Sequence, residues 1–166
     1  KRSEALLLKY PNSKQILKML VDLYFKSFLP EKAVNTIREL RRIKKISTEE
    51  AINYLKEALD LYPRTIDIAF YLAQIYIEQA SYSDSIQCLE EICFQNENID
   101  NDIVKVLQDI LKKEPVQFAA LLMLNNIFYQ RKEFNRSLEY AEIIIENNHI
   151  NDELELRIRT VLQFDN

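Results

Sequence analysis

A chain of 166 residues that is 48% hydrophobic and 29% charged can build a core and is not a disordered tail. Its net charge of −4 weighs against a dedicated nucleic-acid binder, and no apolar run approaches the ~18 residues of a membrane span. With no glycine and only 4 prolines, the composition suits helices joined by short turns.

Residues 1–12, KRSEALLLKYPN, read as the end of a preceding helix, and the absence of an initiator methionine suggests a fragment of a longer array. Ser13 is placed to cap a helix carrying Ile16, Leu17, Leu20, Val21 and Tyr24. Pro30, tolerated in a first helical turn, opens one with Ala33, Val34, Ile37 and Leu40. Ser47-Thr48-Glu49-Glu50 is a capping box ahead of Ala51, Leu55, Ala58 and Leu59. Thr65 caps the next helix, with Asp67 in its first turn and Ala69, Leu72, Ala73 and Tyr76 along one face. After a turn at residues 80–83, Ile86, Leu89, Ile92 and Cys93 form another apolar stripe. Asp100 or Asn101 caps a helix with Ile103, Leu107, Ile110 and Leu111, and Pro115 opens one with Leu121, Leu124 and Phe128. Phe134-Asn135 precedes one with Leu138, Ala141, Ile144 and Ile145, and Asn151 caps a ninth with Leu154, Ile158 and Leu162.

A longer step runs through these elements. Pro11, Pro63 and Pro115 are 52 residues apart, and so are Leu20, Leu72 and Leu124, and Tyr24, Tyr76 and Phe128. The unit is therefore expected to hold three helices, at about 14–65, 66–117 and 118–166, within one repeat domain over 1–166. The spacing Leu72-Ala73-x-x-Tyr76, then Ser85-x-x-x-Leu89, resembles the tetratricopeptide (TPR) pattern, and Ala51-x-x-x-Leu55-x-x-Ala58 with Pro63 matches the second half of such a repeat. Trp and Gly, which the pattern uses, are absent, and the aromatic signature falls on every third helix. The resemblance implies an all-α fold, a right-handed α-solenoid of about nine antiparallel helices whose neighbours bury one another's apolar stripes.

No enzymatic constellation is legible, and no cofactor or metal is expected. The one histidine, His149, sits in a polar Asn-Asn-His segment without a catalytic neighbour. Cys88 and Cys93, five apart on one helix, point about 140° apart and should not pair; they read as small apolar residues and fit a reducing compartment. The densest charge feature is Arg38, Arg41, Arg42, Lys44 and Lys45. It can be read as cations complementing a helix C-terminus, or as a patch for an acidic peptide, a phosphate group or RNA.

In TPR proteins the first helix of each pair lines a groove that takes a peptide or helix of a partner. That resemblance points to Lys18, Asp22 and Phe25, then Phe70, Gln74 and Ile77, then Leu122, Asn126 and Tyr129. These positions also suit packing against the extra helix of each unit. The Lys–Asn pair of the dicarboxylate clamp that grips chaperone tails is not met, because Leu122 stands where Lys is required. The leading expectation is a non-enzymatic scaffold for a protein or peptide partner. The alternative is a self-associating structural subunit of a larger assembly, and RNA binding through the basic patch is a remote third. The Lys-Tyr-Pro-Asn-Ser start resembles TPR proteins of the bacterial envelope, a location that would need a signal sequence ahead of Lys1.

Overall fold

The computed structural model describes residues 13–63, 65–93 and 100–147. Among them it shows eight helices and no strand: α1 (Lys14–Lys26), α2 (Pro30–Arg42), α3 (Thr48–Leu61), α4 (Ile66–Glu78), α5 (Tyr82–Cys93), α6 (Asp100–Lys113), α7 (Phe118–Gln130) and α8 (Phe134–Glu146). The count is eight within the described residues rather than nine. The ninth expected helix from Asn151, the 1–12 segment, His149 and the Cys93 side chain all lie outside the description.

Two compact units divide between Ser81 and Tyr82. In the first, α1 packs on α2, α2 on α3 and α3 on α4, and α4 also lies against α2. In the second, α5 packs on α6, α6 on α7 and α7 on α8, and α7 also lies against α5.

Local signals account for most helix starts. The Ser13 hydroxyl accepts from the Ile16 N–H at 3.5 Å, and Pro30 occupies the first turn of α2. The capping box of α3 is complete: the Ser47 hydroxyl accepts from the Glu50 N–H at 3.0 Å, and the Glu50 carboxylate accepts from the Ser47 N–H at 2.9 Å. Two expected starts differ. Thr65 stands at the N-cap of α4, but its side chain accepts no capping hydrogen bond. Pro115 lies in the turn before α7, which starts at Phe118 and is capped by the Gln117 side chain accepting from the Ala120 N–H at 3.0 Å. The chain needs those extra residues to turn after α6. Among the expected core positions, Ile145 is exposed, and Ile16, Tyr24, Leu59, Leu111 and Leu138 are half-buried.

Four turns are closed without glycine. Phe28, Lys44, Ala80 and Lys132 adopt φ of 54°, 55°, 56° and 60°, the left-handed region that glycine enters at least cost. Three of these residues, Phe28, Ala80 and Lys132, are 52 positions apart and share one hydrogen-bond pattern. The next residue's N–H reaches back to the preceding helix: Leu29 to the Tyr24 carbonyl, Ser81 to that of Tyr76 and Glu133 to that of Phe128, each at 2.9 Å. Closing the reversal this way satisfies carbonyls that the helix end would leave bare.

α4 and α7 hold the core. In α4, Ile68, Ala69, Tyr71, Leu72, Ala73, Ile75 and Tyr76 are buried; in α7, Ala120, Leu121, Met123, Leu124, Asn125, Ile127 and Phe128 are buried, each 52 positions further on. So much burial on one 13-residue helix needs cover from more than one side, and within the first unit α2 and α3 both supply it to α4. Asn125 is the polar exception. Its amide nitrogen donates to the Ser137 carbonyl at 2.8 Å and hydroxyl at 2.9 Å, and that hydroxyl donates to the Asn125 carbonyl at 3.2 Å, which ties α7 to α8.

Leu72→Ala should cost about 2–5 kcal/mol in a urea titration, because Leu72 is fully buried and its neighbours can only partly collapse into the space. Lys132→Gly should raise stability by about 0.5–1 kcal/mol by the same measurement, since it relieves a left-handed residue at an exposed turn.

Candidate functional site

The end of α2 presents Arg38, Arg41 and Arg42, a spacing that puts all three on one side of the helix. Lys44 follows in its left-handed turn, then Ser47 and Thr48 at the start of α3. Because α4 lies against both α2 and α3, its Tyr71, Gln74 and Glu78, one turn apart, complete the wall. These residues and Ile46 line an open cleft of about 570 Å³. Lys45, the fifth residue of the expected patch, is exposed and is not part of the lining.

The cleft carries four cationic side chains and one carboxylate. The Arg41 guanidinium pairs with Glu78, and its Nε donates to the Thr48 hydroxyl at 3.5 Å. The Glu78 hydrogen bond holds the Arg41 pKa above its usual value. Arg42 makes a two-point contact with Glu39 at 2.8 and 2.7 Å, which lowers the Glu39 pKa. The Arg38 guanidinium lies 4.6 Å from the centre of the buried Tyr71 ring. The ion pairs thus hold the arginines in place and leave the wall predominantly positive.

The nine groove positions fall differently. On α4, Phe70 and Ile77 are half-buried and Gln74 is exposed; on α7, Leu122, Asn126 and Tyr129 are half-buried. In each helix they form a stripe beside the buried faces. Asn126 Oδ1 is shielded and accepts no hydrogen bond among the described residues. Tyr129 sets its ring 5.9 Å from Phe134 at the α7–α8 turn. On α1, Asp22 is exposed, whereas Phe25 stacks on Tyr62 at 6.2 Å and its carbonyl accepts from the Tyr62 hydroxyl at 2.8 Å. Phe25 shares a small apolar pocket of about 220 Å³ with Phe28, Pro30, Tyr62 and Thr65.

Lys18 and Lys14 both reach Glu50 Oε1, at 3.3 and 3.4 Å, and Lys18 also lies over the Tyr54 ring. Its bond to Tyr54 raises the Lys18 pKa. Lys18 is therefore engaged in linking α1 to α3.

Sequence reasoning found the cations of the cleft and Gln74 but not Tyr71 or Glu78, and it read Ser47 and Thr48 as capping residues only. Nothing along the chain announces that α2 and α4, separated by a whole helix, lie side by side.

The fold is that of a helical repeat. A tetratricopeptide repeat family model matches residues 47–100, from the cap of α3 through α4 and α5. No curated protein matches the chain. The described helices form a helical repeat that is similar to the tetratricopeptide repeat over residues 47–100. No helix among the described residues is long and apolar enough to cross a membrane.

The Glu50 carboxyl has its pKa lowered to about 2, first by the Ser47 N–H and then by Lys18 and Lys14. A pKa lower in the folded than in the unfolded state stabilises the fold above the ordinary carboxylate range. That contribution fades as pH falls from there through about 2. Glu50→Gln should thus be less stable than wild type at neutral pH, and the gap should close in urea titrations as pH falls below about 4.

Proposed function

We propose that this protein is a non-enzymatic scaffold that binds a peptide or helix of a partner protein through an open helix stripe, that of α4 in the first unit or that of α7 in the second. The observation that carries this reading is the contrast within each helix. Seven residues of α4 are buried and seven of α7, while Phe70, Gln74 and Ile77, and Leu122, Asn126 and Tyr129, stay accessible. Apolar and aromatic side chains separated by amides suit a partner that supplies apolar side chains and backbone hydrogen-bond groups. Affinity capture should compare wild type with Phe70→Glu/Leu122→Glu, whose fold is checked by circular dichroism. Partners lost from the variant, and rebinding as purified proteins to wild type only, are the expected result; identical partner lists would remove the reading.

A second reading, a subunit stacked on neighbouring copies, rests on α1. Under a repeat of 52 residues, Met19 and Leu23 occupy the places of Tyr71 and Ile75, which are 4% and 0% exposed, yet they are 63% and 44% exposed. The face that α2 and α3 cover on α4 is exposed on α1 at Met19 and Leu23 among the described residues, and a copy of the chain would supply cover of the same type. Concentration-dependent association in sedimentation velocity, abolished by Met19→Glu/Leu23→Glu, is expected if this holds. A monomer at all concentrations would eliminate it.

A further inference from the structure

We propose that the cleft between α2, α3 and α4 is an anchor for carboxylate side chains of a partner's acidic segment. The inference rests on the scaffold reading and names the chemistry of its partner. Charge complementarity points to the occupant. Four cations face one carboxylate in the cleft, although the chain as a whole carries −4, so the positive charge is gathered here against the trend of the molecule.

The arrangement suits carboxylates. Arg38 is fixed by its contact with Tyr71, and Arg42 is oriented by Glu39, so planar donors are set before a ligand arrives. Arg41 is already matched to Glu78 and Arg42 to Glu39, which leaves Arg38 and Lys44 as the cations of the cleft with most charge to offer. The Ser47 and Thr48 hydroxyls line the same wall.

Single-stranded RNA is disfavoured by the same geometry. Its recognition requires aromatic faces on which bases stack, and Tyr71, the aromatic residue lining the cleft, is buried with Arg38 over its ring. At about 570 Å³ the cleft suits a few side chains rather than a track of phosphates. Gln74 belongs both to the cleft and to the stripe of Phe70 and Ile77. A segment with acidic residues at one end and apolar residues at the other would occupy the two together.

The test is selection of binders from a displayed library of random dodecapeptides on the whole chain, followed by fluorescence anisotropy of the enriched peptides. Peptides rich in Asp and Glu are expected. Their affinity should fall roughly tenfold for Arg38→Gln/Arg42→Gln and further for Arg38→Glu/Arg42→Glu, and should weaken steeply with salt. Both positions are exposed, so the variants should keep the wild-type circular dichroism. Enriched peptides without an acidic bias, or acidic ones indifferent to both variants, would overturn the inference. So would a labelled RNA dodecamer that binds more tightly than any peptide and is lost in the same variants. If binding fails for Phe70→Glu but survives Arg38→Glu/Arg42→Glu, the scaffold reading stands and the acidic anchor falls. If no peptide of any kind is enriched, both fall.

Discussion

Two helices come against α4 within its unit, and much else follows from that contact. A helix packed on one neighbour buries one stripe; α4 buries Ile68, Tyr71 and Ile75 as well as Leu72 and Tyr76, and so has little circumference left. The stripe that stays accessible is therefore fixed by packing and not by the polarity of its residues. The same contact brings the end of α2 within reach of Tyr71 and Glu78, and turns a run of cations along one helix into a walled cleft.

Charge in this molecule serves position before it serves attraction. Four ion pairs among the described residues join side chains three apart in the chain at the surface, where they contribute little. The pairs that matter cross between helices. Glu50 completes its own helix cap while receiving two lysines from α1, and Arg41 spans from α2 to α4 through Glu78. These contacts bridge α1 to α3 and α2 to α4.

Much of this was legible in the sequence. Helical periodicity located every described helix, and Ser13, Pro30 and Ser47 marked their starts because capping is a local matter of a few residues. Pro115 misled because a proline can precede a helix by a turn as well as open it. The 52-residue step paired Leu72 with Leu124 and Tyr76 with Phe128, and all four are buried. It did not foretell that Lys18 would be tied to Glu50 or Phe25 to Tyr62, because those contacts depend on how far apart two helices stand. The cleft was half legible: its cations lie together in the chain, but their aromatic and acidic counterparts arrive from a helix two elements further on.

The left-handed turn residues have a consequence for how such a chain diverges. At Phe28, Ala80 and Lys132 the backbone is alike, while the side chains are an aromatic ring, a methyl group and an ammonium. All three are exposed, so the fold holds the conformation constant while accepting side chains of very different chemistry. Such positions are where lineages can drift apart in letters while keeping one shape. Recognition of kinship by letters fades at these reversals first, although the path of the chain through them is conserved within the molecule itself.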